Sequence, residues 1–588
     1  MPQLDPKLSR QLESLGGKSR ELRRGEILFR EGEQGDTLFL LSRGRLRAVV
    51  CRDRVEPSVV GEIAAGEILG ELAVLCAAPR SATVVAIRDS VVVEISGDDL
   101  SRLEAPVLLE LMRQLGARMR EMIDSTRAST EPRCIALVGA APDLPLTEIA
   151  EELGRVAAPL GKHCLPVRPS DIPEEVRAAG LGSSVVGDWL SQREEKAVLI
   201  LQSDYEAGEW TLRCLLQADL VIVVARAWDE PCLSPAERAL AGLGDDLTRP
   251  NVDLLLLQRE RPFRGTARWL EHRRVRRHFH VRPSVRDDRE RMARQVFGAN
   301  LSVALGGGGA RGFAHVGVLR ACEELNIPLD RIGGTSIGSI VGGLAALGFP
   351  AADVKENLRR GFVPARKLKE WSVPVISFDT SRRYQEALHR MYGDAMIEDL
   401  PINFFCVSCN LTRARSEIHR SGPLWQWVGA SISYPLIAPP LVVGGEMLVD
   451  GGLMNNVPVD VARRDGAGFV LGVDVGASNA FRLPGHYHGR PRAWEVLWSR
   501  VRRGARRPGA ESVVFPTMID LISRTCVLGS LMGQERARPD ADLYLRMPVE
   551  KYRLLDFDYL DEIADVGHQA ALASLEPVRE WQRRITSG

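Results

Sequence analysis

Between Asn300 and Leu347 the chain reads NLSVALGGGGARGFAHVGVLRACEELNIPLDRIGGTSIGSIVGGLAAL, and few folds can hold such a stretch. The apolar run Leu301–Leu305 suits a buried strand. Gly306–Gly309 follow, and then a helical pattern sets Val316, Leu319 and Leu325 on one side. A second short strand, about Leu329–Gly333, leads into Gly334-Thr335-Ser336-Ile337-Gly338, and the chain beyond is small and apolar, as a buried helix would be. A glycine run at a strand-to-helix junction can aim several N–H groups at one point, beside the positive end of a helix dipole. Gly-x-Ser-x-Gly at the second junction relieves the crowding of a strained turn and leaves the Ser336 hydroxyl exposed. Each motif alone also fits a plain turn. Together in one βαβ-like unit they supply a nucleophile beside an anion-binding loop, the minimum equipment for acyl transfer. The run lacks the Gly-x-x-x-x-Gly-Lys-Ser/Thr spacing of a nucleotide loop, and no acid ends a strand about 20 residues on.

Further along, a strand pattern covers Phe404–Asn410, followed by WVGASISYPLIAPP from Trp427 and EMLVDGGLMNNVP from Glu446. Asp450 ends the strand-like run Met447–Val449, and Gly451 and Gly452 turn the chain. Its carboxylate can therefore project at the carboxyl edge of an open α/β sheet, where such folds bind ligands. No histidine offers a comparable context. His486 and His488 lie in a Gly/Pro/Arg-rich loop, His568 in a helical pattern near the end, and His315 fits the helix after the glycine run. Cys406 and Cys409 stand three apart on a strand, facing opposite sides, and are read as core.

At 588 residues, the chain has length for three or four domains. Its 77 basic and 77 acidic residues cancel, so global charge predicts no nucleic-acid partner. A polar opening excludes a signal peptide, and no apolar run reaches the length of a spanning helix. The 10 scattered cysteines read as reduced, in a cytoplasmic protein.

The polar opening reads as a helix. From Gly25, short strands over Glu26–Arg30, Thr37–Ser42, Arg45–Cys51, Val59–Ile63 and Ser90–Ile95, punctuated by glycines, argue for a β-roll or barrel. An amphipathic helix follows from Asp98 to about Thr126. Gly70-Glu71 followed by Pro79-Arg80-Ser81-Ala82-Thr83 resembles the phosphate-binding cassette of cyclic nucleotide-binding domains, and the order of roll, cassette and closing helices is similar. The resemblance implies that Gly70 and Glu71 contact ribose and that Arg80 and Ser81 contact the cyclic phosphate. Arginine's paired donors suit phosphate oxygens. Cyclic AMP and cyclic GMP both remain open as the regulatory ligand, and so does a relic that binds nothing.

From 131 to 296, apolar strand-like runs (Cys134–Val138, His163–Val167, Ala197–Leu201, Asp219–Ala225, Val252–Gln258) alternate with helical patterns such as Leu146–Ala157 and Ser183–Gln192. That alternation predicts an open parallel α/β domain, a linker between sensor and catalyst. The turn Gly139–Asp143 lacks nucleotide-loop residues. Arg259–Arg294, with His272, His278 and His280 among its arginines, reads as a solvated or membrane-facing surface, because the arginines would repel a bound cation.

Gly-Gly-Gly-Gly-x-Arg-Gly, Gly-Thr-Ser-Ile-Gly, Ala-Ser-x-Ser-x-Pro and Asp-Gly-Gly occur here in the order found in patatin-like phospholipases. With the preceding segments, the layout resembles the bacterial relatives of neuropathy target esterase. That family uses a serine–aspartate dyad without histidine. The resemblance implies Ser336 as nucleophile, Asp450 as base, Gly307, Gly308 and Gly309 in the oxyanion loop, and Arg311 bracing it. It requires no metal and no cofactor for catalysis. It points to lysophospholipids, with intact phospholipids as a second substrate class. A regulatory scaffold without catalysis and a lipid acyltransferase stand as alternatives. Two departures from the larger animal proteins are a single recognisable cyclic nucleotide domain and no N-terminal membrane helix, so tethering is not implied.

The resulting expectation is a multidomain α/β plus β chain. It has a cyclic-nucleotide-binding β-roll with helices over 1–130, an open parallel α/β domain over 131–296 and a patatin-like α/β/α hydrolase core over 297–475. The C-terminal part of the catalytic domain occupies 476–588. There Trp494, Leu497, Trp498 and Val501 fall on one helical face flanked by Arg500, Arg502, Arg503, Arg506 and Arg507. Such a helix suits either peripheral contact with an anionic inner membrane face or ordinary inward packing.

Overall fold

A computed structural model describes residues 18–50, 58–76, 78–97, 131–244, 249–363, 382–435, 437–476, 528, 533, 535 and 537–587. The helix expected over Asp98–Thr126 and the arginine-flanked helix around Trp494 lie outside the described residues.

The first unit is a roll of two four-stranded sheets. One runs in the order Lys18–Leu22, Ser90–Ser96, Thr37–Arg43, Ile68–Leu69; the other in the order Ile27–Phe29, Thr83–Ala86, Arg45–Val50, Ser58–Ala64. All pairings are antiparallel. Leu22, Phe39, Leu41, Leu46, Ile63, Val84 and Val92 fill the space between the sheets. Gly44, at φ +100°, turns the chain from one sheet to the other against the backbone of Ser90, where no side chain would fit. Lys18–Leu22 is a strand where the polar opening suggested helix. Its residues gain order by pairing with Ser90–Ser96, a partner too distant in sequence for a local pattern to reveal.

The second unit is a six-stranded, wholly parallel sheet ordered Cys164–Val167, Val198–Gln202, Cys134–Gly139, Leu220–Arg226, Asn251–Leu257, Arg277–Val281. Its central strands are buried on both faces, which is why they read as unbroken apolar runs. The last strand, Arg277–Val281, falls inside the segment expected to face solvent or a membrane. It is instead covered: Arg273, Arg277 and His280 are buried. Their charges are met internally, with Arg273 on Glu237 at 2.6 Å and Arg277 on Asp253 at 2.7 Å.

A buried polar seam joins these two units. Arg45 meets Asp219 at 2.8 Å and Glu62 at 3.0 Å, and Arg88 grips both carboxylate oxygens of Glu194 at 2.6 and 3.1 Å. Asp219 also accepts from the amides of Arg133 and Cys134, at the start of the central strand. Arg45, Arg88, Asp219 and Glu194 are all under 9% exposed.

The third unit holds an eight-stranded sheet. Its strands are β1 (Leu301–Leu305), β2 (Arg331–Thr335), β3 (Asn403–Asn410), β4 (Arg415–His419), β5 (Leu441–Val443), β6 (Glu446–Asp450), β7 (Phe469–Asp474) and β8 (Leu543–Arg546). The order is β5-β6-β3-β2-β1-β7-β8, with β4 also on β3. Strands β3, β2, β1, β7 and β8 are parallel, and β6 and β4 run against β3. Helices α1 (Ala314–Glu324) and α2 (Ile337–Ala346) pack one face with Phe313, Ile340, Leu344 and Ile563, while Val457, Val459 and Phe405 line the other. The three units together are mixed α/β plus β, as expected. No helix among the described residues is long and apolar enough to cross a membrane.

The second and third units meet at the loop before β3. His278 and His280 both approach the carbonyl of Glu398 through Nε2, at 2.9 and 2.8 Å. Both rings must donate there. Burial pushes His278 down to about 3, with His280 nearby adding to the shift, and His280 down to about 4. The folded chain therefore keeps both rings neutral, whereas the unfolded chain protonates them below about pH 6.5. Stability from this contact is present above that pH and is lost as pH falls toward 4, by at most about 1.4 kcal/mol per pH unit for each ring. Urea unfolding between pH 7 and 5 should show this slope, and a His278→Gln/His280→Gln variant should show a flatter one.

Candidate active site

β2 delivers Thr335 fully buried, and the chain then bends at Ser336, with φ 54° and ψ −128°, before α2 begins. For a residue other than glycine such a conformation costs about 1–3 kcal/mol and persists only where its surroundings impose it. Here they do. A side chain at Gly334 would strike the backbone of Gly338, and one at Gly338 would strike the backbone of Leu305, so the flanking glycines let the bend close. The Ser336 amide donates to Ser431 Oγ at 3.0 Å, and Ser431 donates onward to the Val407 carbonyl at 2.7 Å. Ser339 Oγ donates to the Ser336 carbonyl at 2.6 Å, and Thr335 Oγ1 to the Asn455 carbonyl at 2.9 Å.

Asp450 reaches the same level from the other side of β3. Thr335 is in register with Val407, and the next residue of β3, Ser408, is in register with Asp450. The serine and the aspartate thus flank a single strand, although far apart in sequence. Asp450 is 2% exposed, and its Oδ1 accepts from the Gly452 amide at 2.7 Å.

The glycine run closes the third side. A Cβ on Gly307 would lie 2.9 Å from Ser336 Cβ and 2.6 Å from Asn456 Oδ1, so the loop backbone passes against both. The Gly306 amide donates to Val473 O at 2.9 Å, and the Gly307 amide to Asn456 O at 3.2 Å. Gly307 therefore lies in the expected loop, but its own amide is already engaged by the Asn456 carbonyl. Among the described residues, no backbone carbonyl outside the helices and strands holds the amides of Gly308 or Gly309. Gly309, at φ +57°, packs against Leu554, a position open only to glycine. Arg311 Nε donates to Tyr552 O at 2.8 Å and so ties the loop to the C-terminal segment.

The histidines sort differently. His315 is wholly buried and donates through Nε2 to Gly306 O at 2.8 Å; burial pushes it down to about 4, so it is a neutral brace beneath the loop. His568 lies against α1, with Glu324 at 2.9 Å and Arg320 beside it, away from Ser336. His486 and His488 fall outside the described residues. Sequence reasoning passed over His419, which stacks on Trp427 at 4.2 Å and shares a 2.7 Å hydrogen bond with Ser408. It also passed over Asn456 and the bridging role of Ser431. Ser431 belongs to the Ala-Ser-x-Ser-x-Pro block and Asn456 stands a few residues after Asp-Gly-Gly, whereas His419 lies in neither block. Cys406 and Cys409 are buried in β3.

In the roll, the cassette residues come together around Arg80. Its guanidinium donates to Gly70 O at 2.9 Å and Thr37 O at 2.7 Å, and lies over the Phe29 ring at 4.4 Å. Gly70 takes φ +80° where Arg80 crowds it, and Glu71 opens the short helix Glu71–Cys76. Arg80 and Glu71 are buried, whereas Ser81 is exposed.

A serine on a strained strand-to-helix bend, at the carboxyl edge of a mainly parallel sheet, defines the class of α/β proteins built around a nucleophile elbow. Comparisons with known proteins narrow the class. Residues 303–463 match the family described as patatin-like phospholipase, 19–105 the cyclic nucleotide-binding domain, and 131–303 the Neuropathy Target Esterase family P-loop like domain. The chain therefore carries a cyclic nucleotide-binding domain, a Neuropathy Target Esterase family P-loop like domain and a patatin-like phospholipase domain, in that order. It is 30% identical over 612 residues to human patatin-like phospholipase domain-containing protein 6, covering 93% of this chain and 43% of that one. Lysophospholipase NTE1 of Cryptococcus neoformans is 29% identical, covering 95% and 38%. Neuropathy target esterase sws of Drosophila melanogaster is 28% identical, covering 93% and 42%. The chain thus spans less than half the length of these curated relatives. In the P-loop like unit the turn after Cys134–Gly139 holds Pro142 and Pro145, and Asp143 is paired with Arg226 at 3.0 Å. That turn offers a phosphate a carboxylate and fewer amides than a nucleotide loop would.

Proposed function

We propose that the chain is a serine esterase that hydrolyses acyl esters of lysophospholipids, with intact phospholipids as a second class. The observation that carries this reading is the convergence at Ser336: the elbow, the buried carboxylate across one strand and the glycine loop meet at one edge of one sheet. Ser336 Oγ attacks the ester carbonyl while Asp450 takes its proton. The tetrahedral oxyanion forms beside the glycine loop, where the Gly308 and Gly309 amides are the donors, each contributing about 2.7–4 kcal/mol to the transition state. Collapse expels the alcohol half with the proton held at Asp450, leaving an acyl-serine. Asp450 then deprotonates a water that attacks the acyl carbon and frees the fatty acid. The Lysophospholipase name of a relative supports the substrate class.

Gly70, Glu71, Arg80 and Ser81 are proposed to hold a cyclic nucleotide as regulatory ligand, with Arg80 exchanging its carbonyl contacts for the phosphate. Arg80→Ala should weaken cyclic AMP or cyclic GMP binding at least tenfold in calorimetry; unchanged affinity would mean that the cassette binds elsewhere or not at all. The esterase reading is tested by incubating the full chain with a fluorophosphonate and with a panel of lysophospholipids and phospholipids, with and without each nucleotide. An adduct on Ser336 together with fatty acid release is the expected result. No adduct and no release would favour a scaffold. Transfer to added alcohols outrunning release would favour an acyltransferase.

A further inference from the structure

The segment from Asp450 to Pro458 touches every part of the proposed site. It begins at the base, whose carboxylate is bound by the Gly452 amide at 2.7 Å. Asn455 follows, with its carbonyl receiving the Thr335 hydroxyl at 2.9 Å immediately before Ser336. The Asn455 side chain is held by Asp460 at 2.7 Å and its amide by Gly451 O at 2.9 Å, so the loop is cross-braced internally. Then comes Asn456, which makes two bonds to one glycine. Its Nδ2 donates to Gly307 O at 3.1 Å, and its carbonyl accepts from the Gly307 amide at 3.2 Å.

We propose that Asn456 is the positioning residue that clamps the glycine loop to the Asp450 turn, and so fixes where the Gly308 and Gly309 amides point relative to Ser336. The inference rests on the esterase reading and adds a residue to it. Its physical basis is the shape of a glycine run. Four consecutive glycines have little intrinsic preference for one conformation, yet an oxyanion site works only if its donors are already aimed when charge develops. The run is anchored before the donors at Gly306 and after them at Ala310, whose amide meets Leu554 O at 2.9 Å. Between those anchors, Asn456 holds both polar groups of Gly307, the residue next to the donor pair. The same asparagine packs Oδ1 toward Gly307 and Gly452, so it stands between the loop and the turn that carries the base.

Asparagine is the side chain that this position calls for. The group opposite Nδ2 is a carbonyl oxygen, which needs a donor. Aspartate has the same shape but would set an oxygen against an oxygen, and would add negative charge beside the place where the oxyanion forms. A residue needed only to fill space would therefore tolerate aspartate better than alanine. A residue that positions the donors would not.

The test compares the native chain with Asn456→Asp and Asn456→Ala, using a soluble short-chain nitrophenyl ester, fluorophosphonate labelling and thermal melting. Both variants should lose on the order of 10²-fold in kcat, with KM changed by less than about threefold and labelling slowed in parallel with kcat. Asn456→Asp should be at least as impaired as Asn456→Ala, and both should melt near the native temperature. Native-like kcat in either variant would overturn the inference, as would a milder aspartate variant or losses that simply follow melting temperature. Labelling of the native chain at Ser336 separates the two readings. If it is absent, the esterase reading falls and this inference with it; if it is present while the variants are unimpaired, only the inference falls.

Discussion

Ser336→Ala is expected to reduce ester hydrolysis by a factor on the order of 10⁴ or more and to abolish the fluorophosphonate adduct at that position. The size follows from the chemistry. Without the hydroxyl no acyl-enzyme forms, and only direct attack by water beside the proposed oxyanion donors remains. The fold should be spared. Alanine keeps the Cβ, so the φ of 54° is no more strained than before, and the contacts that hold the bend run through backbone groups of residue 336. Fatty acid release, intact-mass analysis after labelling and melting temperature together decide the outcome. Substantial turnover in a well-folded variant would reject Ser336 as nucleophile.

Asp450→Asn is expected to cost on the order of 10³–10⁴ in kcat, the range seen when an acidic member of a serine-enzyme site is neutralised without changing its shape. The amide oxygen can still accept from Gly452, so the turn should survive, and what is removed is the proposed proton acceptor. His315 and His419 are poor substitutes. Burial holds each near 4, and each ring is already engaged, with Gly306 O and Ser408 respectively. The activity that remains should lose the acid limb that a carboxylate base gives to the pH–rate profile. His568→Gln should leave turnover intact. If the histidine variant were the more damaging of the two, a base other than Asp450 would be at work.

How much of this could be read from the sequence depends on how far apart the interacting groups lie. Leu301–Leu305 and the Gly-Thr-Ser-Ile-Gly bend were legible because strand, turn and helix follow one another and each leaves a local pattern. Asp450 was legible as a strand end followed by two glycines. The same local logic failed at Lys18–Leu22, where strand formation depends on Ser90–Ser96, and at Arg277–Val281. There arginine and histidine disguised a strand buried against a neighbouring unit, with Asp253 and the Glu398 carbonyl as partners. Nothing local marks Ser431 or Asn456 either, since their partners Ser336 and Gly307 are 95 and 149 residues away. The amide of Gly307 illustrates the same limit. A glycine run announces that several N–H groups can converge, but which of them are already used depends on what packs against the loop.

The seam of Arg45, Arg88, Asp219 and Glu194 has a consequence for anyone dissecting the chain. A fragment beginning near Glu131 would carry Asp219 and Glu194 stripped of the guanidinium groups that neutralise them, on a face shaped to be dry. The roll is thus a counter-ion for its neighbour, and the rest of the chain cannot be cut free of it without two unmatched carboxylates. Isolated halves would report on that electrostatic wound before they reported on regulation.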